Sequence, residues 1–354
     1  MLGTKAQLIK MAPVMRLFRR RNIPYNFIAT GQHKETMTGL LKDFNLPQPD
    51  ITLYSGPDIT SPLRMFAWAA RILFRSLTSR KQIFGNDHNG IVLVHGDTLS
   101  TVLGALIGRL AGLKVGHVES GLRSFRMFHP FPEELTRRIT FRLSHILFCP
   151  GEWAVKNVSH MKKTIIDTGC NTMIEIAALS KDLSARTDHV PKGIFCLASI
   201  HRFENIFNQS TFRELIAHLE QIANSTPLVF ILHPPTEQQL HRYKLYTRLE
   251  DNPRIELRPR YSYLDFAALL RKAEFVVTDG GSLQEESSYL GIPCLLMRKA
   301  TERQEGLGGN VCLSRLDSRT IRNFIENYSE HRCPALSCDI APSEAIADEV
   351  DTYR

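Results

Sequence analysis

No stretch of this sequence approaches the ~18 consecutive apolar residues that a membrane-spanning helix needs, and no apolar core of a signal peptide opens it. A spanning or exported protein is therefore not expected. Cysteine is sparse and irregular: Cys149, Cys170, Cys196, Cys294, Cys312, Cys333 and Cys338 are odd in number, and no Cys-x-x-Cys pair occurs. That excludes the common zinc and dithiol motifs, and no metal site is expected. Four of the seven lie in or beside apolar segments, as buried free thiols do, which makes a reducing cytoplasm the expected compartment. Low-complexity segments, short repeats and nucleic-acid-binding motifs are also missing. The net charge of +8 and pI near 9.2 favour an anionic partner, but the basic residues are scattered and only Arg19-Arg20-Arg21 forms a run. The charge points weakly to a phosphate-bearing small molecule rather than to nucleic acid.

One further scarcity lies at the start. Met1-Leu2-Gly3-Thr4-Lys5 is a glycine turn leading into an amphipathic helix, yet almost nothing precedes it. A doubly wound domain enters such a turn from its central first strand, so that strand is expected to be missing, truncated or replaced. Its loss should cost several kcal/mol, since each buried apolar side chain is worth roughly 1.5–3 kcal/mol.

What is present is an alternation of strand and helix. The chain length suits two domains of roughly 150 to 200 residues. Ile91-Val92-Leu93-Val94 reads as a buried parallel strand breaking into His95-Gly96-Asp97-Thr98, a helix follows from Ser100, and Leu113 to Val118 is a second strand ending in Glu119. This βαβ unit delivers two carboxylates beyond the carboxyl ends of neighbouring strands, where ligands bind in open α/β sheets. Pro132-Glu133-Glu134 adds acids at a helix start, followed by Arg137 and Arg138. Any one of these acids is more often a cap than a catalyst; their conjunction carries the case. Upstream, Ile23 to Ala29 reads as a strand ending in Gln32 and His33, residues 48 to 62 as a loop, and Leu63 to Leu77 as a helix whose Phe66, Trp68 and Phe74 belong to the core.

The pattern resets near Ile165 to Asn171, and a second βαβ series starts at Gly193. Ile194 to Ile200 is a strand broken by His201-Arg202, and His233 follows another. Thr278-Asp279-Gly280-Gly281-Ser282 is strand, glycine pair, then helix, which exposes backbone N–H groups to a diphosphate. Glu286 suits ribose hydroxyls and Arg303 a phosphate fork. The fold class is α/β, two doubly wound Rossmann-like domains facing a cleft: residues 1–168, residues 169–335 binding the nucleotide, and a helical tail 336–354 returning to the first domain.

Taken in order, Gly3-Thr4 with Lys10, Thr30-Gly31-Gln32-His33, His95-Gly96-Asp97-Thr98, His117-Val118-Glu119, Pro132-Glu133-Glu134, His201-Arg202, Gln284-Glu285-Glu286 and Thr301-Glu302-Arg303 resemble the non-hydrolysing UDP-N-acetylglucosamine 2-epimerases from about Gly3 to Leu313. The resemblance implies a glycosyltransferase B type fold, a homodimer and no cofactor. It implies interconversion of UDP-N-acetylglucosamine and UDP-N-acetylmannosamine through elimination of UDP to a 2-acetamidoglucal and re-addition, supplying surface polysaccharide. Asp97, Glu119 and Glu133 then match the acid/base carboxylates and His201 the catalytic histidine, with the face served by each carboxylate left open. Lys5, Lys10, Arg137, Gly280, Gly281, Ser282, Glu286 and Arg303 match substrate or UDP contacts; Gln32, His33, Arg202 and His233 match the cleft or an effector-sugar site. The family's usual Gly-Thr-Arg-Pro-Glu is Gly3-Thr4-Lys5-Ala6-Gln7 here, its second arginine after the histidine is Phe203, and its Ser-Gly-Gly is Gly280-Gly281-Ser282. A UDP-sugar-hydrolysing epimerase, a glycosyltransferase of the same fold and a non-catalytic nucleotide-sugar binder remain the alternatives.

Overall fold

A computed structural model of the chain describes residues 1–32, 37–56, 59, 62–127, 132–183 and 188–353. It comprises two compact units, Met1–Ile176 with Cys338–Arg354, and Ala177–Ser337. The division falls inside the helix Met173–Leu183 rather than after Thr168. Among the described residues no helix is long and apolar enough to cross a membrane.

Among the described residues the first unit contains six parallel strands: β1 (Ile28–Ala29), β2 (Ile51–Thr52), β3 (Ile91–His95), β4 (Lys114–Val118), β5 (Ile146–Cys149) and β6 (Thr164–Asp167). They form a pair, β1-β2, and a four-stranded sheet, β3-β4-β5-β6. Met1 and Leu2 join the two. The Leu2 N–H donates to Ile28 O, Leu2 O accepts from the Thr30 N–H, and the Met1 amine donates to Leu93 O at 2.8 Å. These two residues therefore stand where the order 3-2-1-4-5-6 of a doubly wound sheet places its first strand. Beside them lies a cavity of about 530 Å³ lined by Met11, Val14, Phe18, Phe27, Ile91 and Val350. The strand expected over Ile23–Ala29 is correspondingly reduced to two residues, and the loop expected over 48–62 contains β2.

The helix Pro62–Thr78 corrects a core assignment. Trp68 is 2% exposed and donates its indole N–H to Thr30 O, whereas Phe66 and Phe74 are 74% and 70% exposed. Positions 66, 74 and 77 lie on one side of the helix and 68 and 72 on the other, so an apolar composition on both faces hid the difference.

The cysteines divide into a bonded pair and five free thiols. Cys170 and Cys338 form a disulfide, 168 residues apart in sequence, while Cys149, Cys196, Cys294, Cys312 and Cys333 are free. Spacing could not reveal a pair that only the return of the tail creates. The tail helix Pro342–Asp351 buries Ile346, Ala347 and Val350, receives its first turn on Glu175 through the Ser343 N–H and hydroxyl, and pairs Asp348 with Arg21.

In the second unit β7 (Cys196–Ser199), β8 (Leu228–Leu232), β9 (Ile255–Pro259), β10 (Val276–Thr278), β11 (Cys294–Leu296) and β12 (Val311–Leu313) form one parallel sheet ordered β12-β11-β10-β7-β8-β9. Read from the other edge this is 3-2-1-4-5-6, the doubly wound order. Strand residues alternate between two apolar layers, Ala198, Phe230 and Val277 on one side, Leu197, Val229 and Val276 on the other. Burial on both faces explains why these strands are near-continuous apolar runs. Each core of this kind ends where its strands do, and the polar residues just beyond them are what it positions.

Candidate active site

In the first unit, two carboxylates leave neighbouring strands at their carboxyl ends. Glu119 follows β4 directly, with a backbone φ of +64°, a left-handed conformation that costs a non-glycine residue roughly 1–3 kcal/mol and that clusters at functional sites. Its carboxylate is almost fully buried. Oε1 accepts from Lys10 Nζ at 2.5 Å and from Asn171 Nδ2 at 2.8 Å, and His95 Nε2 lies 3.5 Å from Oε2. Asp97, two residues beyond β3, is more open and accepts from Arg137 Nε at 2.9 Å and Nη2 at 2.5 Å. The Thr136 hydroxyl donates to its carbonyl, tying the helix Glu133–Leu143 to the same rim. Glu133 opens that helix, half-buried.

The surrounding frame was less legible. Glu134, 1% exposed, accepts from Arg123 Nε at 2.6 Å and the Ser124 N–H at 3.0 Å, with Arg137 Nη1 3.7 Å away; it fixes the loop after Glu119. Gln7 ties the start of the helix Lys5–Arg20 to the rim. Its Oε1 accepts from the Gly3 and Thr4 N–H groups, while Nε2 donates to His95 O, Thr98 Oγ1 and Thr101 Oγ1. A carboxylate could make the first set but not the second, because it has no proton to donate. Gln32 accepts from the Ser100 hydroxyl at 2.6 Å, and Lys5 opens the helix Lys5–Arg20. His33 lies outside the described residues.

His117, inside β4, belongs to the motif His117-Val118-Glu119 but was given no role from sequence. Its Nε2 lies 2.7 Å from Gly96 O and its Nδ1 3.0 Å from Ser120 Oγ. Nε2 must donate to the carbonyl, and in the neutral ring Nδ1 accepts from the hydroxyl. Burial pushes its pKa down from 6.5 to about 4, against the pull of the Gly96 hydrogen bond and the nearby Glu119 and Asp97. In the unfolded chain the ring protonates as pH falls through 6.5; in the folded chain it does so only near 4. Stability from this residue is thus complete above pH 6.5 and lost between 6.5 and about 4, by roughly 3 kcal/mol in total. Urea unfolding of the wild type against His117→Gln should show a pH-dependent loss over this window that the variant lacks; parallel pH slopes would contradict it.

The second unit gathers another group. Asp279, fully buried after β10, accepts from the His201 and Arg202 N–H groups and from Asn205 Nδ2, each at 2.9 Å. It shapes the turn that carries His201, whose ring stacks on His233 with centroids 4.3 Å apart. Burial lowers the pKa of His201, opposed by Asp279 at 3.6 Å. Gly280 caps the helix Gly281–Leu290, where Ser282 is exposed. A Cβ on Gly280 would stand 2.8 Å from His201 Cε1, and one on Gly281 3.1 Å from Arg303 Nε, so glycine is what lets these side chains lie against the helix start. Arg303 Nη1 pairs with Glu285 at 3.0 Å and Glu305 at 3.3 Å; Arg202 approaches Glu302 at 3.7 Å. Glu286 accepts from the Tyr263 hydroxyl at 3.3 Å, and the pKa of that buried phenol is raised, first by burial and then by Glu286. Phe203 is 70% exposed and stacks on Phe207.

Two Rossmann-like domains, one presenting lysine- and arginine-held carboxylates beyond its strands and the other a glycine-opened helix flanked by arginine, define a nucleotide-sugar enzyme of the glycosyltransferase B type. The family model of UDP-N-acetylglucosamine 2-epimerase matches residues 15–339, and the chain belongs to that family. It is 32% identical to the UDP-N-acetylglucosamine 2-epimerase of Methanococcus maripaludis, over 92% of this chain and 89% of that one. It is 29% identical to the Bacillus subtilis enzyme of the same name, over 90% and 83%. Among solved structures, UDP-GlcNAc 2-epimerase from Neisseria meningitidis bound to UDP-GlcNAc superposes with a TM-score of 0.83 at 26% identity, covering 99% of this chain and 98% of that one. The Methanocaldococcus jannaschii enzyme in complex with UDP-GlcNAc and UDP gives 0.81 at 26% identity, with the same coverage.

Proposed function

We propose that this enzyme interconverts UDP-N-acetylglucosamine and UDP-N-acetylmannosamine by eliminating UDP across C1 and C2 and adding it back. The observation that carries the reading is the buried Glu119 carboxylate, in a strained backbone conformation at a strand end and held by Lys10 and Asn171. The C2 proton is not adjacent to a ring carbonyl, so simple deprotonation is too costly; coupling it to loss of the C1–O bond makes the step feasible. Asp97, Glu119 and Glu133 supply the base and acid, and His201 assists. Arg303 and the N–H groups at Gly280–Ser282 stabilise the departing diphosphate, Glu286 takes the ribose hydroxyls, and Arg137, Lys5 and Lys10 complete the charge balance. Gln32, Arg202, His33 and His233 are assigned to the surroundings of the sugar or an effector.

The product is read as a precursor of surface polysaccharide, made in the cytoplasm. Incubation with UDP-N-acetylglucosamine, followed by chromatography, should yield an equilibrium mixture with the manno epimer; UDP and free N-acetylmannosamine as the sole products would replace epimerisation with hydrolysis.

A homodimer is part of the proposal, supported by Phe66, Phe74 and Leu77, exposed together on one face of Pro62–Thr78. Light scattering of the Phe66→Glu, Phe74→Glu double variant should show monomer where the wild type is dimeric. An unchanged dimer would remove this face from the interface.

A further inference from the structure

Glu119 owes its aim to three elements. Its own backbone lies in the left-handed region, Lys10 reaches it from the helix Lys5–Arg20, and Asn171 reaches it from the turn beyond β6. Asn171 is 2% exposed, and its amide is oriented from its other end, because the Thr172 hydroxyl donates to Asn171 Oδ1 at 3.2 Å. With Oδ1 accepting there, Nδ2 is the atom presented to the carboxylate. The turn itself is tightly bonded: the Thr168 hydroxyl donates to Cys149 O at 3.0 Å and Cys170 O at 2.8 Å, and Asp167 Oδ1 accepts from the Gly169 N–H at 2.8 Å. The residue immediately before Asn171 is Cys170, covalently bonded to Cys338. Both cysteines are half-buried, within reach of a small thiol, whereas Asn171 and Thr172 beneath them are sealed from solvent.

We propose that Asn171 is a positioning residue for Glu119, and that the Cys170–Cys338 disulfide holds it in place, so that reducing this bond slows turnover without emptying the nucleotide site. The inference rests on Glu119 being an acid/base group of the proposed epimerisation. In the reducing step one thiolate of a small dithiol attacks a disulfide sulfur, forming a mixed disulfide and releasing one cysteine. The second thiol of the reagent then resolves the intermediate, releasing the other cysteine. Two electrons and two protons pass from the dithiol to Cys170 and Cys338, and the dithiol becomes a disulfide. The tail does not leave with the bond, because Ile346, Ala347 and Val350 remain buried and Ser343 remains on Glu175. What is released is the constraint on Cys170, one residue from the amide that grips Glu119. A hydrogen bond to a charged group that orients a reacting carboxylate is worth roughly tenfold or more in rate when lost.

The test uses the full chain with and without dithiothreitol. Under denaturing conditions the untreated protein should present five thiols and the reduced protein all seven cysteines; seven before treatment would overturn the proposal. Reduction, and Cys338→Ser, should each lower kcat about tenfold while KM for UDP-N-acetylglucosamine stays within about twofold. In an Asn171→Ala background the same reduction should leave kcat unchanged, although the thermal stability lost with the disulfide should be the same as in the wild type. That non-additivity separates positioning from a general loosening. A kcat insensitive to reduction, or an equal drop in both backgrounds, would overturn the proposal. If the untreated enzyme shows no epimerisation at all, the failure belongs to the functional reading. Hydrogen exchange of residues 168–172, expected to quicken on reduction, then decides the clamp alone, and unchanged exchange would sink it.

Discussion

Glu119→Gln is expected to lower epimerisation about 10³-fold while UDP binding stays within a few-fold of the wild type. The substitution keeps the shape of the side chain. Its amide oxygen can still accept from Lys10 or Asn171, so the turn at Glu119 and the surrounding hydrogen bonds have a substitute acceptor. What it removes is the ability to take a proton. Because the nucleotide contacts proposed at Gly280, Gly281, Glu286 and Arg303 belong to the second unit, they should be unaffected. Stopped assays with calorimetry of UDP binding measure both quantities on one preparation. Turnover within tenfold of the wild type would remove Glu119 from the chemistry, and loss of UDP binding would mean that the substitution damaged more than proton transfer.

The second large effect is structural and falls on Asp279→Ala. This carboxylate is fully buried and is shared by two backbone N–H groups and the Asn205 amide. Truncation leaves those donors buried without their acceptor, at about 1–3 kcal/mol each, so a loss of roughly 3 kcal/mol or more is expected. The same truncation frees the turn carrying His201 and Arg202, so UDP affinity should fall with stability. Urea unfolding and calorimetry check the two losses. Wild-type stability would show that the turn is held by its other contacts, and intact UDP affinity would separate the turn from the nucleotide site.

The contrast between these residues shows where the chain was legible. That Asp97 and Glu119 lie at strand ends could be read because mostly apolar strands break into polar residues at the rim. Gly280 and Gly281 were legible for a similar reason, as glycines between a strand and a helix. Asp279, Asn171, Glu134 and His117 lie within the motifs and segments named from sequence but were given no place in the site, since their importance lies in partners far away in sequence: Asp279 meets Asn205 across 74 residues, and Asn171 meets Glu119 across 52. Side-chain hydrogen bonds of that range leave no periodic trace. The same limit hid the Cys170–Cys338 bond, and the outward turn of Phe66 and Phe74, whose hydrophobicity alone suggested the core.

The most direct test of elimination and re-addition is proton NMR of the enzyme with UDP-N-acetylglucosamine in heavy water. A carboxylate that removes the C2 proton exchanges it with solvent before the proton is returned to the sugar. The account predicts that the manno epimer appears with deuterium at C2 and that recovered UDP-N-acetylglucosamine acquires deuterium at the same carbon. Epimer formed with protium retained at C2, or release of UDP with no epimer, would contradict it.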